Sequence, residues 1–574
     1  MPSSHEIAFL KARFLSLPLL IERASPTRLL LGLIALCGLT RVALSVTLVG
    51  FLTGDDVEML EAAFRSAGIL EYRPWVIRNL LVPHFLLGPL LRFCALLGLA
   101  DARWLVVAAT LPFVAASLAN ILFVYKLAAA LLESSRGALV AAFLYSFHWL
   151  PMGFGSTVYP RTLSTACILG GALLILPRPG RLSLWRPILA GGLVALAGTA
   201  RFSEVVYLAP LVLALLVWWP ANRRTIALCG TLVGFAVGSF LFLGLVDAAT
   251  WGRPYASLVA FARFTLLERQ SSSRVATQPV AWYIVNLHRW LPLTMLAGIW
   301  AARAERKLVP VLGFVMLPLV VFSAVHHKEL RYLQGVVPFV AILGGCGFSF
   351  LRRRGRLALT TTLVVSSILW GALGMRFLGR KSLPAVAAAR HLARSNADVL
   401  VLSQAWAYGD RIFLSHLKEI RDIPPNPSPE ALTLAIQGAD HVALYRADVR
   451  QNPALTLVLR AEHFSVVSEY DGLVGRPVLV FERVVSGAQG ELAGWCRWRH
   501  VGTGRGHQSE TGRDRGGQAS GASLAAVQKL PARTSCRKES ITTTTSQAKD
   551  NVSVICSPSN DPEFVPMLPG QLDQ

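Results

Sequence analysis

The chain has 574 residues, 56 Lys and Arg against 33 Asp and Glu, and a formal charge of +23, yet only 16% of it is charged and 53% is hydrophobic. A mean hydropathy of +0.50 excludes an ordinary soluble enzyme, which is nearer a quarter charged, and equally excludes collagen-like, disulfide-stapled and wholly disordered chains. The basic residues fall in short clusters between apolar runs rather than along one amphipathic face, which argues against nucleic acid as a partner and suits cytoplasmic loops between membrane spans.

At the N-terminus, Lys11, Arg13, Arg23 and Arg28 precede an apolar run with no clean small-residue cleavage site, so residues 1–28 are expected to be a retained cytoplasmic segment. Twelve apolar runs follow, at 29–52, 80–98, 104–132, 137–154, 162–176, 187–200, 206–219, 225–246, 282–301, 309–325, 332–351 and 357–378. Five basic clusters lie between them: Lys126 with Arg136; Arg178, Arg181 and Arg186; Arg223 and Arg224; Arg303, Arg306 and Lys307; and Arg352, Arg353, Arg354 and Arg356. Each is two runs from the next, so all share the cytoplasmic face with the N-terminus only if residues 52–104 contain no net crossing. The run at 80–98, which carries His84, Arg92, Pro83 and Pro89, is therefore demoted to a helix at the membrane interface.

The result is a polytopic α-helical membrane protein with about 11 transmembrane helices over residues 29–378. Its outer loops are 53–103, 155–161, 201–205, 247–281 and 326–331. Arg253, Arg263, Arg269 and Arg274 crowd one of these against the usual charge bias. Residues 379–484 change to mixed polar and apolar segments, with strand-like runs at 399–403, 441–445 and 477–482, as expected of a small α/β extracytoplasmic domain. Residues 485–574, rich in Gly, Ser, Thr and Arg, are expected to be a disordered tail, with an isolated sequon at Asn551. Cys37, Cys94, Cys167, Cys229 and Cys346 sit in apolar runs as small hydrophobes, and no CxxC pair suggests a metal.

The outer loops hold nearly all the chemically suggestive residues. Asp55 and Asp56 stand just after the first span and open a helix-like segment with Glu58 and Glu61; either acid is an N-cap or a general base for an acceptor hydroxyl. In YRPWVIRN, Arg73 and Arg78 flank Trp75 in the manner of membrane anchors. Arg161 opens a span and Arg201 closes one, each readable as a snorkelling side chain. His327, Lys328, Glu329 and Arg331 place four ionisable groups within five positions where the chain is about to re-enter lipid. A connecting turn has no need of that density, and cations there suit a phosphate.

Five segments in order resemble the glycosyltransferase family 22 enzymes, the Alg9-like mannosyltransferases of the GT-C superfamily. They are the acidic pair Asp55 and Asp56, YRPWVIRN, Arg161 to Ser164, VDAATWG at 246–252, and HKELRYL at 327–333, the last being the most specific. The chain departs from the pattern in having Asp56 for Glu, Gly335 where Pro is common, and ARFSE near Arg201, and the choice between Asp55 and Asp56 stays open. The resemblance implies an inverting transfer of mannose from a polyprenyl or dolichyl phosphate sugar to a lipid-linked glycan or a GPI-like acceptor. It further implies a catalytic Asp55 or Asp56, a donor phosphate held by His327, Lys328 and Arg331 with Arg161 and Arg201, and Glu329 orienting those cations. Because the leaving group is a single phosphate, no metal and no cofactor is implied. The host is the endoplasmic reticulum membrane in a eukaryote or the inner membrane in a bacterium, with the site on the luminal or periplasmic face. A multispanning transporter or lipid flippase, or a GT-C enzyme for another sugar, is the alternative.

Overall fold

A computed structural model describes residues 25–484 except 50–51, 100, 177–182, 268–276, 292–305, 350–364, 366, 375–381, 396, 415–418, 424–427 and 472–476. Residues 1–24 of the N-terminal segment, half of the run at 282–301, most of the run at 357–378, the cluster at 352–356, Arg178, Arg181, Arg269, Arg274, Arg303 and the tail with Asn551 lie outside the described residues.

Among the described residues four helices are long and apolar enough to cross a membrane: Pro26–Leu48, Ala102–Leu132, Ala221–Trp251 and Arg306–Ala324. Among the shorter apolar helices, Pro160–Ile175 packs against Ala102–Leu132, and Phe202–Trp218 against Arg306–Ala324. Local chemistry sets their starts. Ser25 accepts the Arg28 N–H at 3.3 Å with Pro26 at the first helical position, and Asp101 accepts the Arg103 N–H at 2.8 Å. Large apolar side chains on these helices, such as Leu39 and Val320, remain exposed as a lipid-facing surface requires.

The run at 137–154 is not one continuous span. It breaks into Ser135–Ser146 and Trp149–Phe154, because the His148 side chain accepts the Leu150 N–H at 3.2 Å and starts a new helix there. Arg41, fully buried in the first span, steadies the break: its Nη2 donates to the freed Ser146 carbonyl at 3.3 Å and its Nε to Ser117 Oγ at 2.7 Å. Close crossings elsewhere need glycine. Helices Trp185–Ala200 and Ala221–Ser239 approach so tightly that a Cβ on Gly191 would lie 1.9 Å from the Thr231 carbonyl, and one on Gly234 1.8 Å from that of Ile188.

Past the last helices, Ser382–Leu392 packs on a five-stranded sheet of order β2-β1-β3-β5-β4, where β1 is Val399–Ser403, β2 Glu419–Ile423, β3 His441–Tyr445, β4 Phe464–Tyr470 and β5 Val478–Arg483. β1 pairs in parallel with β2 and β3, while β5 runs antiparallel to β3 and β4. β1, β3 and β5 fall on the strand-like runs of the sequence. β2 and β4 are half-exposed and lack a continuous apolar run, which hides them from a hydropathy pattern. Sheet and helices belong to one compact unit.

Candidate active site

The site is built where the first span hands over to the helix Gly54–Ser66. Two adjacent carboxylates diverge there because neighbouring helical residues point about 100° apart. Asp56 turns back: its Oδ2 accepts the backbone N–H of Leu52 at 2.8 Å and of Thr53 at 3.0 Å, and the residue is fully buried. It satisfies two donors that the helix start would leave unpaired, which is the capping alternative of the two. Burial pushes its carboxyl up to about 7, against the pull of those two N–H groups.

Asp55 faces the opposite way, into three guanidiniums. Arg78 Nη2 lies 2.5 Å from Oδ1, Arg201 Nη2 2.8 Å from Oδ2, and Arg331 Nη1 3.3 Å from Oδ2. The three arginines come from three distant stretches of chain. Arg78 lies in the irregular segment after the first outer helix, Arg201 caps the helix Trp185–Ala200 in extended geometry, and Arg331 sits in the 3₁₀ turn Leu330–Gly335. Burial opposes ionisation of Asp55, but Arg201, Arg331 and Arg78 outweigh it and hold the carboxyl well below the usual range.

Around this centre the charges are matched in pairs. Glu58, one helical turn from Asp55, takes Arg78 Nε at 2.7 Å. Glu329 takes Arg331 Nε and lies 3.2 Å from His327 Nε2; burial works against its ionisation, yet Arg331 and His327 bring it down to about 2. The Tyr159 ring lies under both Arg201 and Arg331, at 5.8 and 5.9 Å from their guanidinium carbons.

Arg161 and Lys328 are nearby but differently engaged. Arg161, 2% exposed, pairs with Glu204 and donates to the Tyr332 carbonyl at 2.9 Å and Ser203 Oγ at 2.8 Å. Lys328 Nζ donates to the carbonyls of Gln278 at 2.9 Å and Val325 at 2.5 Å. The fold thus brings Asp55, Arg201, Arg331, Glu329 and His327 into one cluster, sets Arg161 behind it against its own carboxylate, turns Lys328 to backbone oxygens and places Asp56 in the helix cap.

Arg78 and Glu58 belong to the cluster as well, although in sequence Arg78 near Trp75 reads as a membrane anchor. The usable signal was the Asp55 and Glu58 spacing of three, which places both carboxylates on one helix face and calls for a cation between them.

The same helix continues toward the sheet. Glu61 is 7% exposed and lies near Asp410, Arg411 and Tyr72, whose ring is 5.1 Å from the Arg411 guanidinium carbon. Burial, then the Asp410 charge, raise Glu61 to about 8, against the opposing effect of Arg411. A carboxyl whose folded value exceeds its unfolded one favours folding below about 4.3 and loses that contribution as pH rises through the folded value. Glu61→Gln is therefore expected to flatten the fall in thermal stability between about pH 4.5 and 8 in detergent. A melting profile unchanged by the substitution would refute the burial argument.

Comparisons with known proteins bear on the family and the fold. The model of the Alg9-like mannosyltransferase family matches residues 69–401, more than half of the chain, beginning just after the Asp55 helix. A GPI mannosyltransferase 3 from Yarrowia lipolytica (strain CLIB 122 / E 150) is 26% identical over 362 residues, covering 57% of this chain and 64% of that protein. The chain thus spans less than two thirds of that relative's length. In structure, ArnT from Cupriavidus metallidurans superposes with a TM-score of 0.54 in its apo state and 0.50 bound to undecaprenyl phosphate. Both matches are 14% identical and cover 82% of this chain and 100% of that one, a likeness of fold.

Proposed function

The chain belongs to the Alg9-like mannosyltransferase family, and from that premise we propose that it transfers a mannosyl residue, with inversion, from a polyprenyl or dolichyl phosphate donor to a lipid-linked glycan or GPI-like acceptor. The observation that carries the reading is one carboxylate, Asp55, facing three guanidiniums gathered from residues 78, 201 and 331.

In the proposed reaction the acceptor oxygen attacks the anomeric carbon, the bond from that carbon to the phosphate oxygen breaks, and its electron pair leaves with the lipid phosphate. The hydroxyl proton passes to Asp55. A carboxylate gripped by three cations is a weak base, so the donor must loosen the grip. The incoming phosphate competes for Arg201 and Arg331, draws them off Asp55 Oδ2, and restores its basicity only when there is something to transfer. The same two guanidiniums then face the negative charge that develops on the leaving phosphate. Glu329 and His327 hold Arg331 in orientation. Arg161, already neutralised by Glu204, and Lys328 contribute by supporting the turn at 325–332 rather than by direct phosphate contact.

The proposed setting is a membrane protein with eleven crossings, the cluster on the luminal or periplasmic face and a lipid donor within reach of it. A donor tethered in the bilayer suits a site where spans emerge, and the undecaprenyl phosphate bound to the structurally similar ArnT is a ligand of the same chemical kind.

The test uses membranes containing the full chain, radiolabelled polyprenyl phosphate mannose and extracted lipid acceptors. A new glycosidic bond in the lipid fraction is the expected result. Movement of the label across the bilayer without bond formation would replace this reading with a flippase.

A further inference from the structure

The VDAATWG stretch supplies no partner to Asp55, yet it grips the segment that does. Asp247 is fully buried. Its Oδ1 accepts the Asn79 side-chain amide at 2.9 Å, and its Oδ2 accepts both the backbone N–H of Ser257 at 2.8 Å and the Ser257 hydroxyl at 2.6 Å. One helical turn on, the Trp251 indole N–H donates to the Arg78 carbonyl at 3.2 Å. Two consecutive residues, 78 and 79, are thereby held from a single turn of helix.

That grip matters because residues 71–80 form no helix or strand of their own, so their position depends on contacts from outside. Asn79 relays the contact onward, its Oδ1 accepting the Leu81 N–H at 2.9 Å where the next helix begins. A second contact joins the same two segments, the Trp75 ring edge-on to Phe264 at 5.0 Å. The chain after the Trp251 turn reverses through Gly252 and Tyr255, both at positive φ, which returns Ser257 to the Asp247 carboxylate. With its backbone fixed in this way, Arg78 reaches Asp55 and Glu58 together.

We infer that Asp247 and Trp251 are positioning residues, a clamp that sets Arg78 against Asp55 and so tunes the reacting carboxylate without touching substrate. The inference rests on the proposed role of Asp55.

Its sharpest test is an exchange. In Asp247→Asn the new amide can serve Ser257 through its oxygen, but its N–H₂ then confronts that of Asn79. In Asn79→Asp two carboxylates meet. In the double exchange every bond is restored with one donor direction reversed: Asn at 247 donates to Asp at 79, which still accepts from Leu81. Each single variant is expected to lower kcat about tenfold to a hundredfold with little change in donor KM, as sub-ångström to ångström displacement of a catalytic contact does. The exchange should recover most of it. Trp251→Phe, which keeps the ring but removes the N–H, should lower kcat in the same manner, and neither Trp251→Phe nor Asp247→Asn should add to the loss in an Arg78→Ala background.

Failure of the exchange to restore kcat, or additive losses on top of Arg78→Ala, would overturn the clamp. A structural readout needs no activity: in the Asp247→Asn protein the Arg78 to Asp55 contact should open beyond hydrogen-bond reach, and an unchanged contact would also overturn it. If the unaltered protein transfers no sugar from any lipid phosphate, the proposed function fails and the structural readout alone decides the clamp.

Discussion

If Asp55 is the proposed base, Asp55→Asn is expected to lower sugar transfer by about 10² to 10⁴-fold, the range for loss of a general base, while the solubilised protein keeps its fold. Asn has nearly the same shape but cannot take the acceptor proton. The fold survives because Arg78 still has Glu58 and Arg331 still has Glu329; of the three arginines, Arg201 is the one whose acidic contact is lost. Some stability should go with it, since a largely buried cation is left without its counter-charge.

Asp56→Asn supplies the control. Both backbone donors go to a single oxygen of Asp56, which an amide oxygen can replace, so transfer should stay within a few-fold of the unaltered protein. Asp56→Ala removes the cap and should destabilise by about 0.5–2 kcal/mol. Initial rates in membranes, with melting curves on the same preparations, check all three. A dead Asp56→Asn beside an active Asp55→Asn would reverse the assignment of base and cap.

The second large effect is expected at the guanidiniums. Arg331→Lys keeps the charge but replaces a planar fork serving Asp55 and Glu329 at once with a single point donor, and kcat/KM for the lipid donor should fall by about 10² to 10³-fold. Arg201→Lys should behave similarly, with much of the loss in KM, since the proposed phosphate contact would form on donor binding as well as in the transition state. Arg161→Lys should differ in kind. Its guanidinium is spent on Glu204, Ser203 and the Tyr332 carbonyl, so the expected result is a lower melting temperature with donor KM little changed. Donor titrations of the three variants separate these outcomes, and a selective rise in donor KM for Arg161→Lys would move it into direct contact with the phosphate.

The pH dependence carries a sign of its own. A folded-state value depressed below the ordinary carboxylate range means that Asp55 contributes stability above that range and loses it as pH falls through the folded value. Glu61, raised to about 8, acts in the opposite direction at the alkaline end. Both lie within the outer helix Gly54–Ser66, so their joint contribution to stability should be greatest at about pH 4, where Asp55 is ionised and Glu61 still protonated.

Much of the architecture was legible in linear order. Apolar runs at 29–52, 104–132, 225–246 and 309–325 correspond to the four long helices Pro26–Leu48, Ala102–Leu132, Ala221–Trp251 and Arg306–Ala324, because a span must satisfy its own backbone and therefore announces itself in composition. The break at His148 was not legible, since its cause is a side chain capping a new helix, and the freed Ser146 carbonyl is met by Arg41 from over 100 residues away. The strands β2 and β4 were hidden because a half-exposed strand leaves no apolar run.

At the candidate site, the sequence by itself supplied part of the inventory and left out Arg78 and Glu58. It singled out Asp55, Asp56 and the cationic turn at 327–331, because ionisable groups packed against lipid-length runs are too unfavourable to be there by accident. Only the tertiary structure decided their division of labour. Asp55 and Asp56 are chemically identical neighbours, and what separates them is which way one helix turn aims each carboxylate: toward the Leu52 and Thr53 amides, or toward Arg78, Arg201 and Arg331. Likewise Arg161 and Arg331 read alike in a string of letters, and differ because Glu204 meets one while Asp55 and Glu329 meet the other. Side-chain partnership between residues as far apart as 55 and 331 depends on how the helices pack, and no local pattern encodes it.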